Sequence, residues 1–257
     1  MVASQPASVT TLVVARALGY LLVVATSAGL LWYLRAFALR LLAAPYRDRW
    51  RYLAVGVGAV GVYGVAGLAE LFVTAGATPF RRGATLFVFL FCAVGMRGVH
   101  RSVEGAGRRR SRPVAPAAVV ALVAAWWATH LFAAPVVVAA VEVAGLLAAT
   151  SFTVYHAVGT VDAAEGTSVA AVVRQFLPAL LALAVVGVAE HLGVAVPGAA
   201  PAGRGAALVG TAVAGAFLFS TMTAIRQQGG EVERMYDETT WRADGSPEAR
   251  PADGDDD

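Results

Sequence analysis

Lysine is absent from this 257-residue chain, and all 20 of its basic residues are arginine. A retinal pigment needs a lysine amine for its Schiff base, so retinal is excluded as a cofactor. Cysteine occurs once, at Cys92, which excludes an intramolecular disulfide and any metal site built from several cysteines. Charged residues make up only 14% of the chain, compared with about 25% in an average soluble domain.

Common enzyme motifs are missing as well. The sequence contains no Gly-x-Ser-x-Gly elbow, no phosphate-binding loop and no His-Glu-x-x-His zinc motif. These absences favour a non-enzymatic protein.

Long apolar runs dominate what is present, with 58% hydrophobic residues and a mean hydropathy of +0.66. A helix needs about 20 apolar residues to cross a bilayer, and seven runs approach or exceed that length. They lie at residues 10–34, 52–78, 84–100, 115–133, 135–156, 172–196 and 205–225. We therefore predict an all-α fold, a polytopic membrane bundle of seven transmembrane helices. Residues 1–10 lack the basic segment and cleavage site of a secretory signal, so the first run is expected to be retained as a helix.

The distribution of arginine predicts the orientation, because cytoplasmic loops retain more basic residues than external ones. Twelve arginines follow the first, third and fifth runs, whereas only Arg81, Arg82 and Arg204 follow the second and sixth. This asymmetry predicts a multi-pass protein of the cell membrane with residues 1–9 outside and the C-terminus inside. Residues 226–257 hold four arginines against ten acidic residues, and we expect a disordered acidic cytoplasmic tail there. An arginine-only basic set beside such a tail is typical of proteins adapted to high salt.

Cytoplasmic partners are suggested by the same charges. The basic and aromatic segment that begins at Arg35 and the cluster Arg108–Arg112 are expected to contact anionic lipid headgroups, at about 1 kcal/mol per charge. An acidic partner for the cluster is the alternative. The tail is a possible contact for a cytoplasmic protein, and no nucleic-acid partner is expected.

A weak internal repeat is visible in the sequence. Val65–Leu71 is echoed by Val186–Leu192, and each is followed by Arg-Gly-Ala, at Arg82–Ala84 and Arg204–Ala206, with a fainter match at Ala128–Leu131. The pattern favours one helix followed by three hairpins made of helices 2–3, 4–5 and 6–7. Chance similarity is the alternative, because alanine and glycine are so frequent.

Five ionisable residues fall within the apolar runs, in the half of the membrane predicted to be outer. They are Glu70, His130, Glu142, Glu190 and His191. An ionised group at the centre of a membrane helix costs about 2.5–3.5 kcal/mol on insertion scales, and such groups therefore mark functional sites. Arg16 is expected at similar depth in the first helix, where it could be the counter-ion of one carboxylate.

Three interpretations of these residues stay open. In the structural interpretation, these residues form interhelical hydrogen bonds or an Arg–Glu pair that holds the bundle together. The functional one has them receiving a proton, an ion or a small solute. The third is a metal site, because imidazole and carboxylate together suit zinc, manganese or iron, although no compact spacing supports it.

The histidines also admit a haem alternative. His100 and His156 end the third and fifth helices on the predicted inner side, while His130 and His191 lie toward the outer side. Two pairs on alternate helices are typical of a two-haem cytochrome bundle, whereas histidines at helix ends commonly lie at the headgroup level. For Trp126 and Trp127, close to His130 in the sequence, an aromatic belt at the interface is favoured over a ligand-stacking pocket.

The seven-helix topology and the segment Leu68–Leu71, followed by a short outer loop, resemble the membrane sensor modules that precede histidine kinases. The resemblance covers helices 2 and 3, and the segment after Arg226 is too short for a kinase domain. Our leading hypothesis is therefore a non-enzymatic membrane sensor or regulatory subunit. A small-solute, ion or proton transporter and a metal- or haem-binding redox protein are the alternatives.

Overall fold

Seven α-helices make up almost all of the computed structural model, which describes residues 5–38, 44–73, 77–103 and 114–244. The helices, numbered in chain order, are α1 (Gln5–Tyr33), α2 (Ala44–Ala69), α3 (Ala77–Val103), α4 (Val114–Phe132), α5 (Pro135–Ala163), α6 (Ser168–Ala195) and α7 (Ala200–Asp244). A π-helical turn, Leu34–Ala38, follows α1, and a short 3-10 turn, Pro197–Ala199, precedes α7.

The predicted fold class is confirmed, since all seven predicted helices are present and the described residues contain no strand. Six of the helices are long and apolar enough to cross a membrane. The exception is α4, in which the apolar stretch Val119–Phe132 is shorter. The chain is therefore helical and suited to a multi-pass membrane protein.

Two predicted boundaries are corrected. Helix α3 begins at Ala77, so Arg81 and Arg82 lie inside a helix and not in a loop. Helix α7 continues to Asp244, so the first part of the tail predicted to be disordered is helical. The rest of that tail and the Arg108–Arg112 cluster lie outside the described residues.

The helices pack as a ring with one outlier. Helices α1, α2, α3, α5, α6 and α7 contact one another in this order, α7 closes on α1, and α3 touches α6 across the ring. Helix α4 packs mainly on α5, and sparsely. A two-residue turn joins these two helices at Ala133 and Ala134, and Pro135 opens α5, where its missing N–H leaves no helical hydrogen bond unmade.

Because successive helices run in opposite directions, the predicted site residues gather at one end of the bundle. We call this the site end: it is where α2, α4 and α6 end and where α3, α5 and α7 begin. Hairpins α2–α3 and α6–α7 pack extensively, and α4–α5 does not. The equivalence of the three hairpins and the external position of the site end both stay predictions.

Candidate functional site

Two neighbouring polar clusters occupy the site end. The arginine cluster is centred on Arg81 and comprises Tyr63, Glu70, Arg81, Glu190 and Thr211. The histidine cluster is centred on Glu142 and comprises Trp126, His130, Glu142 and His191. Between them the two clusters contain all five ionisable residues that the sequence predicted inside the membrane.

In the arginine cluster, one guanidinium pairs with two carboxylates from different helices. Arg81 Nε donates to Glu70 Oε2 at 2.9 Å, and Arg81 Nη1 pairs with Glu190 Oε1. Tyr63 Oη lies 3.3 Å from the same Glu190 oxygen and 3.1 Å from Thr211 Oγ1. The arginine cluster thus connects α2, α3, α6 and α7.

The charge of the arginine cluster is not balanced internally. Two carboxylates share one guanidinium, and the Arg81, Glu70 and Glu190 side chains are only 8%, 13% and 7% exposed. Oε1 of Glu70 and Oε2 of Glu190 are buried and have no hydrogen-bond partner among the described residues. A buried charge without full compensation is costly, so a further positive charge near the two carboxylates, such as that of Arg16 on the wall of a cavity that Glu190 also lines, would stabilise the cluster.

In the histidine cluster, a single buried carboxylate joins three helices. Glu142 on α5 is 4% exposed. Its Oε1 accepts from Trp126 Nε1 at 2.8 Å and lies 3.1 Å from His130 Nε2, both on α4. Its Oε2 lies 2.5 Å from His191 Nε2 on α6. Arg82 Nη1 is farther away, at 3.8 Å from the same oxygen.

The hydrogen-bond partners of His191 fix the number of protons at this pair. Its Nδ1 lies 2.6 Å from the carbonyl oxygen of Gly187, which can only accept. Nδ1 must therefore donate, and the 2.5 Å contact between Nε2 and Glu142 then needs a second proton, on either the imidazole or the carboxyl group. Without that proton, two lone pairs would face each other. The geometry is therefore that of a pair that holds one shared proton.

The position of Trp126 depends on a glycine. A Cβ at Gly83 would lie 2.9 Å from Trp126 Cη2, so only glycine lets the indole ring lie against α3. Trp126 is 6% exposed and its Nε1 reaches Glu142, whereas the adjacent Trp127 is 55% exposed. The predicted aromatic belt fits Trp127, but Trp126 belongs to the site.

Among the described residues, Arg16 does not form the ion pair with a carboxylate that the sequence suggested. The guanidinium that pairs with Glu70 and Glu190 is that of Arg81, and no described residue forms an ion pair with Arg16. Arg16 lies instead on the wall of a cavity of about 160 Å³, which Glu190 and Arg81 also line.

At the opposite end of the bundle, His100 on α3 and His156 on α5 contact each other, with their Nδ1 atoms 3.0 Å apart. Two axial histidines at metal–nitrogen bonds of about 2.0–2.1 Å would have nitrogens about 4 Å apart across the iron. His130 and His191 both direct Nε2 to the Glu142 carboxylate. These side-chain positions do not fit the haem alternative.

The metal alternative fits no better. Over the described ranges, no group of three His, Cys, Asp or Glu side chains is arranged to hold a metal ion. In the histidine cluster both imidazoles direct Nε2 to the Glu142 carboxylate, which hydrogen-bonds to each of them.

Sequence reasoning missed four members of the two clusters: Tyr63, Arg81, Trp126 and Thr211. The sequence predicts a loop at Arg81 because the apolar run begins after it, although its spacing from Glu70 suits a turn between two helices. Trp126 was assigned to the interface, and Tyr63 was not singled out in a run of alanine, glycine and valine. A buried tyrosine or tryptophan needs a partner for its polar atom, and this is the one signal that could have pointed to both aromatic residues.

Comparison with known protein families, with curated proteins and with solved structures finds no match to this chain. Its function is therefore inferred from the chemistry of the site itself.

Proposed function

We propose that this protein is a non-enzymatic membrane sensor or regulatory subunit whose histidine cluster takes up and releases a proton. The observation that carries the proposal is the hydrogen-bond pattern at His191, which requires one shared proton between its Nε2 and Glu142 Oε2. Histidine is the side chain whose charge changes closest to neutral pH. A pair of this kind is therefore suited to respond to acidification.

Loss of the shared proton would act directly on helix packing. With Nε2 and Oε2 only 2.5 Å apart, two unprotonated atoms would repel, and α5 would separate from α6. Glu142 also holds α4 through Trp126 and His130. One protonation event at Glu142 thus changes the contacts of three helices, which is what a sensor requires of its receiving site.

Transport receives less support. A proton or ion pathway would have to continue from Glu142 along α5, where Thr150 and Thr153 are buried. Thr153 Oγ1 donates to the carbonyl of Ala149 at 2.7 Å, and Thr150 Oγ1 has no partner among the described residues. Hydroxyl groups that bond to their own helix, or to nothing, do not form a relay.

The rest of the proposal follows from the charge distribution. We place the protein in the cell membrane with the site end outside, the arginine-rich segments against anionic lipid, and the end of α7 available to a cytoplasmic partner. In this arrangement the histidine cluster senses the exterior, and α5 and α6 connect it to the opposite end.

The test is the pH dependence of stability in purified protein. The folded pair holds a proton that a neutral imidazole and an ionised carboxylate in the unfolded chain do not, so the folded state binds more protons. Stability should therefore fall as pH rises, by at most about 1.4 kcal/mol per pH unit for one proton. We expect His191→Gln and Glu142→Gln each to flatten this dependence of the free energy of unfolding.

His156→Gln, on the same helix as Glu142 but at the opposite end, is the matched control and should leave the contribution of the histidine cluster in place. The fluorescence of Trp126, isolated by difference from Trp126→Phe, should change over the pH range in which stability falls. The proposal fails if wild type and His191→Gln show the same pH dependence in both measurements.

A further inference from the structure

The cavity beside the arginine cluster is not explained by the proton site. Its volume is about 160 Å³, well above the roughly 30 Å³ that one water molecule occupies in the liquid. It lies between α1, α3, α6 and α7 at the site end. None of its lining residues belongs to the histidine cluster.

Arginine dominates the polar lining of this cavity. Arg16 comes from α1, Arg81 from α3 and Arg204 from α7, and Glu190 from α6 is the one carboxylate among the lining residues. Tyr20 and Thr211 add hydroxyl groups. Guanidinium groups from three separate helices therefore surround a space that can hold a small molecule.

Two of these arginines are available to a ligand. Ion pairs with Glu70 and Glu190 hold the guanidinium of Arg81 in place. No described residue forms an ion pair with Arg16 or Arg204. Among the described residues, Arg204 Nε makes only a long contact of 3.4 Å, donating to the carbonyl oxygen of Ala200. Within the part of the chain that the structure describes, neither guanidinium is therefore paired with a carboxylate.

The formal charges of the side chains at the cavity indicate the charge of its ligand. Three guanidinium groups, with the carboxylates of Glu70 and Glu190, leave a surplus of one positive charge at the cavity. Arginine binds the oxygens of phosphate and carboxylate groups through its planar fork of donors. A phosphate group offers more oxygens than a carboxylate to donors that converge from several helices, and a phosphodiester carries the single negative charge that balances the cavity.

We infer that this cavity is a binding site for a phosphate-type oxyanion. Arg16 and Arg204 would bind most of the anion, beside the Arg81–Glu190 ion pair. The same chemistry is available from free phosphate and from the headgroup of an anionic phospholipid. The inference does not depend on the proton-sensing proposal, because it uses none of the contacts of Glu142.

The experiment compares purified wild type with the double variant Arg16→Gln/Arg204→Gln in an uncharged detergent. Inorganic phosphate is titrated calorimetrically at low ionic strength, and phospholipid retained per protein is measured separately after delipidation. Arg174→Gln, which removes an exposed arginine from α6 away from the cavity, is the matched control. Because Arg204 is exposed, Arg204→Gln alone keeps the test valid if the double variant does not fold.

We expect the double variant to lose at least tenfold in phosphate affinity, or to retain much less anionic phospholipid, while Arg174→Gln behaves as wild type. A loss in the first measurement identifies free phosphate as the ligand, and a loss in the second alone identifies the lipid headgroup. The inference is overturned if wild type binds neither, or if the variants and wild type bind both equally.

Discussion

At the scale of single residues, Arg81 links α3 to the end of α2 and to α6. It is one cation between two carboxylates, and its partners Glu70 and Glu190 come from the end of α2 and from α6. Its guanidinium carbon lies 5.9 Å from the centre of the Tyr63 ring, within the range of a cation–π contact. Removing it would leave two buried carboxylates facing each other.

Arg81→Met is therefore expected to destabilise the protein by about 3–5 kcal/mol, the usual loss when one partner of a buried ion pair is removed. The triple variant Glu70→Gln/Arg81→Met/Glu190→Gln removes all three charges and should recover at least half of that loss. The free energy of unfolding in mixed detergent measures both. A loss below about 1 kcal/mol for Arg81→Met would show that the two carboxylates are not both ionised.

The membrane residues Glu70, His130, Glu142, Glu190 and His191 could be identified from sequence because an ionisable group in an apolar run is conspicuous. Their division into two clusters could not, since it depends on which helices are neighbours. Arg81 was predicted in a loop and Arg16 as a counter-ion, because sequence shows the depth of a side chain but not its direction around the helix axis.

At the scale of helices, close packing depends on small residues. A Cβ at Gly64 on α2 would lie 2.7 Å from Val24 Cγ2 and 3.1 Å from the carbonyl oxygen of Tyr20, both on α1. The carbonyl oxygen belongs to the backbone and cannot rotate away. Contacts of this kind replace the hydrophobic effect as the source of helix association inside a bilayer.

Gly64→Val should consequently separate α1 from α2 and lower stability by about 1–3 kcal/mol, as overpacking does elsewhere. Gly58→Ala, on the same helix, is the matched control because a Cβ there meets nothing within 4 Å. Thermal unfolding of the two variants beside wild type is the measurement. Equal Tm values for Gly64→Val and Gly58→Ala would contradict the packing described here.

The number of helices could be predicted from the apolar runs, but the residues at which the helices begin and end could not. The apolar run that begins at residue 84 leaves out the first turns of α3, because Arg81 and Arg82 lower the hydropathy there. Carboxylate partners on other helices compensate for the cost of burying these two charges. Likewise, α7 continues past Arg226 through polar residues to Asp244, where hydropathy no longer signals a helix. Both boundary errors arise because a window average of hydropathy does not report tertiary contacts or the propagation of a helix through polar residues.

At the scale of the whole molecule, the orientation can be tested with single cysteines in a Cys92→Ala background. Gly198 lies beside the site end in the turn before α7, and Glu165 lies at the opposite end in the turn after α5; both are exposed. With the N-terminus outside, a membrane-impermeant maleimide should label Gly198→Cys in intact cells and Glu165→Cys only after permeabilisation. The reverse pattern would show the opposite orientation.

The two-residue turn between α4 and α5 has a consequence for how the chain enters a membrane. Trp126 and His130 on α4 reach Glu142 on α5 within this one hairpin, so His130 and Glu142 can pair before α6 is synthesised. The turn itself, Ala133 and Ala134, carries no charge, and Ala133 N donates to the carbonyl of Thr129. Helices α4 and α5 can therefore insert from the translocation channel together as one unit, and His191 joins them later.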